Sequence, residues 1–196
     1  MFRRKPRPSA ERWLVIGLGN PGREYAGSRH NMGFLSVDEL SRRHRATVSH
    51  RESKSITGAI RIGSSELVLA KPQTMMNRSG DAVKALRAKY GVPLDRLLVV
   101  HDELDLPFGR LRVRRGGSSA GHHGLDSVIA ALGTPDFIRF RVGVDRPTGD
   151  GIDYVLGPFT PAEREALPQI IDRVCQAIAS TIEHGLDRTM TDFNKG

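Results

Sequence analysis

Short apolar runs and amphipathic stretches alternate along most of this chain. The apolar runs have the length and composition of strands and cover residues 13–16, 56–62, 67–70, 97–100, 111–113 and 137–144. Apolar residues recur at helical spacing in residues 33–45, 79–90 and 125–132, and Gly91 marks the end of the second of these helices. This order predicts a single α/β domain with a mixed, mostly parallel and twisted sheet and helices on both faces.

The last part of the chain predicts a long helix that packs on the core. Thr160, Pro161 and Glu163 form the pattern of a helix start, in which Thr160 is the cap and Glu163 completes a capping box. Pro168 predicts either a kink in the first turns or a division into two short helices. An apolar stripe then leads to the helix end at residues 184–185, and it consists of Ile171, Val174, Ile178 and Ile182.

Composition places the chain among one-domain globular proteins. With 196 residues, 38% of them hydrophobic, it can bury a core without disulfides or metals. No apolar run is long enough to span a membrane, and the start of the chain lacks the apolar centre of a secretory signal. We interpret residues 1–12 as a basic arm or frayed end and 13–196 as the domain. The single Cys175 has apolar neighbours, which predicts a helix-core residue and a reducing compartment, the cytoplasm.

The charge balance indicates a polyanionic partner. The chain carries 30 Lys and Arg against 22 Asp and Glu, a net charge of +8. Arg110, Arg112 and Arg114 alternate with apolar residues, so a strand there would place three guanidinium groups on one face, about 7 Å apart. Such a row fits bidentate contacts with phosphates, and an ordinary solvated sheet face is the alternative.

The glycine-rich segment after the first strand matches the dinucleotide fingerprint G-x-G-x-x-G, over residues 17–22. That fingerprint requires a helix to begin within the glycines. Here Pro21 and Tyr25 interrupt any helical pattern, and apolar periodicity begins only after His30. Asp38, at the distance of a ribose-binding acid, then falls in the middle of a helix. We therefore predict no nucleotide cofactor.

Four loops carry more polar groups than their length requires. They cover residues 20–31, 71–77, 101–107 and 116–124, and they follow predicted strands. Loops at the ends of neighbouring strands converge in α/β sheets, which would bring a histidine, an aspartate and several amides together. This set suits hydrolysis by activated water, with a neutral histidine as base, a carboxylate that fixes its tautomer and amide donors for the oxyanion.

Two other chemistries compete for the same loops. Residues 117–121 match G-x-S-x-G and would make Ser119 a nucleophile, but the only histidine further downstream than the adjacent pair 122–123 is His184, at the end of a structural helix. A metal site could be built from His30, His101, Asp102 and His122. These residues lack the spacing of known metal motifs, and adjacent histidines do not readily bind one ion. We predict neither a serine nucleophile nor a metal.

Taken together, the four loops resemble the bacterial-type peptidyl-tRNA hydrolases. The motifs that carry the resemblance are GLGNPG with Tyr25 and RHN at 29–31, KPQTMMNRSG at 71–80, HDELDLP at 101–107, and GHHGL at 121–125 with FIRFR at 137–141. They occur in the family's order and cover the chain from residue 13 to about residue 157.

The resemblance implies a monomeric α/β hydrolase that needs no cofactor and cleaves the ester between a peptide and the ribose of tRNA. It implies that His30 is the general base, that Asp102 orients it, and that Asn20 distinguishes N-blocked peptidyl-tRNA from free aminoacyl-tRNA. The residues implied to bind the peptide or the tRNA are Tyr25, Met75, Met76, Asn77, His122, His123, Arg112, Arg114 and Arg141.

The chain departs from this family at two positions of the implied site. His123 stands where the family usually has asparagine, and Met75 replaces a usual aromatic residue. Outside these two positions, Ser118, Ser119 and Ala120 stand in a loop that is normally richer in glycine. A catalytically weak RNA-binding or RNA-processing partner of the same fold is therefore the alternative function. Because a binding module needs neither His30 nor Asp102, the presence of both favours the enzyme.

Overall fold

Seven strands form one sheet in the computed structural model, which describes residues 11–147, 149 and 151–195. The strands are β1 (Arg12–Gly17), β2 (His50–Glu52), β3 (Ser55–Ile62), β4 (Ser65–Pro72), β5 (Leu97–Glu103), β6 (Leu111–Arg115) and β7 (Ile138–Gly143). Their order across the sheet is β2-β3-β4-β1-β5-β7-β6. The four neighbours β4, β1, β5 and β7 are parallel, whereas β2, β3 and β6 pair antiparallel at the two sides. The predicted mixed sheet is confirmed.

Helices cover both faces of this sheet, and each face has its own apolar core. In β1, Trp13 and Val15 pack into one core and Leu14 and Ile16 into the other, because successive side chains of a strand point to opposite faces. The first core is covered by α1 (Met32–Arg43), α5 (Pro161–His184) and α6 (Leu186–Phe193), and the second by α2 (Ser79–Tyr90) and α3 (His123–Leu132). Central strands buried on both sides read as unbroken apolar runs, which is why the pattern located them.

Two glycines allow α1 to begin directly beside the end of β1. A Cβ atom at Gly17 would lie 2.1 Å from the carbonyl oxygen of Gly33, and one at Gly33 would lie 2.3 Å from the amide nitrogen of Leu18. Any side chain at either position would separate the helix from the strand. The close approach holds the turn that precedes α1, and with it His30, against the centre of the sheet.

The predicted C-terminal helix is confirmed in its start, its end and its packing. Thr160 accepts the amide of Glu163, whose carboxylate accepts the amide of Thr160, so the capping box is formed. The helix runs without interruption from Pro161 to His184, and the alternative of two short helices is wrong. Pro168 removes one backbone hydrogen bond near a largely exposed helix start, which is too small a loss to divide a helix with a buried stripe.

Three elements were not predicted: β2, α6 and the short helix α4 (Gly151–Leu156). The elements β2 and α4 are too short to show a clear period in the sequence. The helix α6 does have apolar residues at helical spacing that the prediction left out, namely Leu186, Met190 and Phe193. Cys175 is buried in the first core, as predicted, and burial raises the pKa of its thiol to about 12. Among the helices of the described residues, none has both the length and the apolarity needed to cross a membrane. The predicted basic arm lies outside the described residues except for Glu11 and Arg12, and Arg12 begins β1.

Candidate active site

A cavity of about 410 Å³ lies where the loops after β1, β4 and β5 meet the start of α3 and the helix α4. Parallel strands place their carboxyl ends at the same edge of a sheet, so residues far apart in sequence gather there. Eight of the predicted site residues line the cavity: Asn20, His30, Met75, Met76, Asn77, Asp102, His122 and His123. Tyr25 is half-buried in the first turn after β1 and is not among the described residues that line it.

The glycine-rich segment forms two short 3-10 turns instead of a helix start. The turns span Arg23–Tyr25 and Arg29–Asn31, and α1 begins only at Met32. A dinucleotide site requires a helix N-terminus that faces the glycines, and no helix of the described residues begins within residues 17–22. Asp38 lies in the middle of α1 and forms an ion pair with Lys71, with 2.5 Å between its Oδ1 and the lysine Nζ. The predictions that no helix begins within the glycines and that Asp38 falls in the middle of a helix are confirmed.

Arg29 fixes the turn that carries His30. Its guanidinium group is buried and binds the carboxylate of Glu163 in a bidentate ion pair, with distances of 2.7 and 3.1 Å. It also donates to the carbonyl oxygens of Tyr154, in α4, and of Pro158, in the segment that joins α4 to α5. One arginine thus connects the His30 turn to the start of α5 and to the segment beside the cavity.

His30, Asp102 and His122 form a hydrogen-bonded chain at the base of the cavity. Nδ1 of His30 lies 2.9 Å from Oδ2 of Asp102, and Nε2 of His122 lies 3.0 Å from Oδ1. His122 is also the N-cap of α3, where its Nδ1 accepts the amides of Gly124 and Leu125. Because Nδ1 of His122 is an acceptor, its proton is on Nε2 and is donated to Asp102.

The tautomer of His30 follows from the same network. Burial alone raises the pKa of a carboxyl group, but the N–H groups of His30 and His122 outweigh it and hold the pKa of Asp102 well below its usual range. As a carboxylate, Asp102 can only accept, so His30 donates from Nδ1. The other ring nitrogen, Nε2, therefore keeps its lone pair and can act as a base.

The same three side chains have the compactness of a metal site, since their ligand atoms lie within 4.8 Å of one another. The hydrogen bonds of His122 do not suit that role. Its Nδ1 already accepts two backbone N–H groups, so a metal bound through Nε2 would leave the ring without a proton. The arrangement fits a proton network better than a metal centre.

Asn20 is held by its neighbours so that one amide donor is left for a ligand. The side chain of Asn31 binds both backbone groups of Asn20, at 2.7 Å to its nitrogen and 3.0 Å to its oxygen. Oδ1 of Asn20 accepts the amide of Met76 at 2.7 Å. Since the oxygen is occupied, the Nδ2 group of Asn20 is its remaining donor in the cavity.

Ser119 and His101, which the alternative serine and metal chemistries would use, do not face the cavity. The hydroxyl of Ser119 accepts the amide of Gly121 at 3.4 Å, and Ser119 is not among the described residues that line the cavity. His101 is fully buried and donates from Nδ1 to the carbonyl oxygen of Asp102 at 2.6 Å. Burial lowers the pKa of His101 to about 3, so the ring is neutral at physiological pH. Neither residue is placed to act on a ligand.

The mouth of the cavity is apolar on two sides. Met75, in the loop after β4, and Ile152, in α4, are 46% and 55% exposed, and both line the cavity. Large exposed apolar groups that line one cavity mark a contact surface for a ligand. The side chain of His123, in the first turn of α3, is 61% exposed and lies 4.0 Å from the carboxylate of Asp126.

Four arginines form a square on β6 and β7, beside the cavity. Arg112 lies opposite Arg141 and Arg114 lies opposite Arg139 in the antiparallel pair, so all four are on one face. Arg110 precedes β6, which shortens the predicted row to two residues. Arg141 forms an ion pair with buried Glu103 at 2.9 Å, whereas Arg112 and Arg114 have no carboxylate partner in the described part of the chain. Like charges close to one another are unfavourable, so the two arginines without a carboxylate partner among the described residues, Arg112 and Arg114, are suited to an anion.

The sequence did not identify several residues that build the site. They are Asn31, which holds Asn20; Glu103, which holds Arg141; buried Arg139; and the α4 side chains Ile152 and Val155. Asn31, Glu103 and Arg139 lie within the motifs quoted above, but a motif does not reveal which of its residues contacts which. The cap role of His122 was missed because histidine is not a usual N-cap residue.

The fold and the site define an α/β protein with a histidine–aspartate centre suited to activating water and a basic surface beside it. The family model described as peptidyl-tRNA hydrolase matches residues 14–196, and this chain belongs to that family. The resemblance read from the four motifs is confirmed, and it continues through α5 and α6.

Individual relatives agree over nearly the whole chain. A peptidyl-tRNA hydrolase of Carboxydothermus hydrogenoformans is 46% identical over 185 residues, which cover 94% of this chain and 99% of the relative. One of Chloroflexus aurantiacus is 48% identical over 185 residues, covering 93% and 98%. The crystal structure of peptidyl-tRNA hydrolase from Acinetobacter baumannii matches with a TM-score of 0.87 at 30% identity and covers 97% of each chain.

Proposed function

We propose that this protein hydrolyses the ester bond between the peptide and the ribose of peptidyl-tRNA, with His30 as the general base. The observation that carries the proposal is the chain of hydrogen bonds from His30 through Asp102 to His122 at the base of the cavity. It leaves Nε2 of His30 unprotonated and holds the ring in one orientation. We further propose that the protein acts as a monomer in the cytoplasm, where translation supplies the substrate.

In the reaction, a water molecule gives a proton to Nε2 of His30 while its oxygen attacks the ester carbonyl. The resulting imidazolium is stabilised by Asp102, whose carboxylate is already hydrogen-bonded to Nδ1. Collapse of the tetrahedral intermediate breaks the bond to the ribose oxygen, which takes the proton back from His30. The products are a free tRNA and the carboxylic acid of the peptide, which releases its proton to solvent, and the step requires only the substrate and water.

Asn20 supplies the selection for N-blocked substrates in this proposal. Its Nδ2 group is a donor, and a peptidyl-tRNA offers the carbonyl oxygen of the preceding amide as an acceptor. A free aminoacyl-tRNA has an ammonium group at that place, which only donates. Met75, Met76 and Asn77 line the cavity where the peptide would lie. Tyr25 has no direct role here, since it lies outside the cavity lining.

The experiment is a turnover assay with N-acetyl-aminoacyl-tRNA, using the wild type, His30→Ala and Ser119→Ala. Loss of a general base costs about 10² to 10⁴ in rate, so we expect His30→Ala to lose nearly all activity while its tRNA affinity stays within a few-fold. Ser119→Ala is the matched control and should be almost silent. Retention of more than about half the activity in His30→Ala would contradict the mechanism, and RNA binding without turnover by the wild type would favour the binding-protein alternative.

A further inference from the structure

Arg139 is too deeply buried to contact RNA. It is 1% exposed, although it belongs to the square of four arginines on β6 and β7. Burial, with repulsion from Arg114 and Arg141, lowers the pKa of Arg139 to about 10, so it remains a cation at neutral pH. A buried cation is costly unless its hydrogen bonds are satisfied. The groups that Arg139 contacts therefore indicate the role of this buried charge.

The guanidinium group of Arg139 binds backbone carbonyl groups and no carboxylate among the described residues. It donates to the oxygens of Ser118 at 2.7 Å, Gly117 at 2.5 Å and Pro135 at 3.4 Å. Gly117 and Ser118 belong to the loop that joins β6 to α3, which covers residues 116–122. Two of the three acceptors thus lie in a glycine-containing loop that has little side-chain packing of its own. Arg139 fastens this loop to β7.

Gly117 is in turn in contact with Arg114. Its φ of +100° lies in the region that favours glycine, and a Cβ atom there would be 2.5 Å from both Cζ and Nη2 of Arg114. The guanidinium group of Arg114 therefore rests on the bare backbone of Gly117, on a surface that Arg139 holds in place. Arg114 has no carboxylate partner in the described ranges that would orient it instead.

We propose that Arg139 is a positioning residue for RNA binding, which holds Gly117 and Ser118 so that the backbone of Gly117 orients the guanidinium group of Arg114 toward a phosphate. The inference rests on the proposed contact between Arg114 and the tRNA backbone. Ordering a free arginine side chain on binding costs conformational entropy, and a prearranged support reduces that cost. Arg139 acts through Arg114 and does not touch the substrate.

The test compares Gly117→Ala, Arg139→Gln and Arg114→Gln, alone and as the two double variants with Arg114→Gln, by kcat and KM with N-acetyl-aminoacyl-tRNA. We expect Gly117→Ala and Arg139→Gln each to raise KM about fivefold, with kcat within about threefold of the wild type. In the Arg114→Gln background neither should raise KM further, since the group they position is gone. Arg61→Gln removes one exposed charge from β3, near the other side of the sheet, and should leave KM within about twofold.

The outcomes separate this inference from the proposed function. A rise in KM by the same factor in the wild-type and Arg114→Gln backgrounds would show that Arg139 acts on the fold and not through Arg114. If Arg139→Gln does not fold, the KM of Gly117→Ala tests the inference alone. An unchanged KM in Gly117→Ala then overturns the inference. A raised KM in Arg114→Gln in the same experiment still supports the contact between Arg114 and the RNA. An unchanged KM in Arg114→Gln would overturn the RNA contact, and the inference with it.

Discussion

At the scale of single residues, His122 connects the proposed catalytic pair, His30 and Asp102, to the fold. One ring nitrogen donates to Asp102 and the other caps α3, so the ring has no freedom to turn. These contacts hold the ring of His122 in one neutral tautomer, although its Nδ1 contacts only backbone N–H groups, and no charged group among the residues that the structure describes. The orientation of Asp102, and through it that of His30, therefore depends on where α3 begins.

We predict that the two functions of His122 can be separated by substitution. Asparagine at this position can still cap α3 but is too short to reach Asp102, whereas alanine does neither. Both His122→Asn and His122→Ala should lower kcat about tenfold, the equivalent of a weak hydrogen bond to a charged group. His122→Ala should also unfold with about 1 kcal/mol less free energy than His122→Asn.

Measurements of kcat and of urea unfolding on both variants check this prediction. The contrary result is equal stability of the two variants, which would mean that the cap contributes nothing. A kcat that is unaffected in His122→Asn would mean that Asp102 orients His30 without help.

At the scale of elements, β6 is an edge strand whose outer side is covered. Asn194 accepts the amide of Val113 at 2.7 Å and donates to its carbonyl oxygen at 2.8 Å, as a neighbouring strand would do. Uncovered strand edges are prone to pair with other chains. The residue after α6 thus protects β6 while its face with Arg112 and Arg114 stays open.

Replacing both Arg112 and Arg114 by glutamine should raise KM with little change in kcat, because we place these residues on phosphates and not at the ester. Each phosphate contact contributes about 0.9 to the slope of log affinity against log salt for a duplex. The double variant should therefore show a slope shallower by about 1.8 than that of the wild type. Titration of KM against KCl gives both slopes, and identical slopes would show that this face does not meet the RNA.

At the scale of the whole molecule, buried His101 makes stability depend on pH. Its pKa is lowered from 6.5 to about 3 by burial, so below pH 6.5 the unfolded chain takes up a proton that the folded protein does not. The free energy of unfolding then falls as the pH falls from 6.5 toward 3. The slope from this one group approaches about 1.4 kcal/mol per pH unit.

We predict that His101→Asn, whose amide can still donate to the carbonyl oxygen of Asp102, unfolds with a flatter pH dependence. Urea unfolding between pH 6.5 and 5 is the informative range, because the lowered pKa values of Glu39 and Glu52, both about 2, affect stability mainly below their usual value of 4.5. Parallel curves for the wild type and the variant would show that His101 is protonated equally in both states.

The sequence by itself determined the features that depend on residues close to one another along the chain. The apolar runs located six of the seven strands, the capping box at Thr160 and Glu163 placed the start of α5, and Gly91 ended α2 in a left-handed cap. The four motifs identified the family and named His30 and Asp102. These signals are local, since periodicity and caps act over a few residues.

Only the tertiary structure decided how those residues work together. His30 and Asp102 are 72 positions apart, and which nitrogen of His30 is left unprotonated for the proposed role as base follows from a hydrogen bond between them. The cap role of His122, the burial of Arg139 and the place of α4 beside the cavity also depend on contacts between distant segments. Proton positions and buried charges are set by what surrounds a side chain in space, and a motif gives only what surrounds it along the chain.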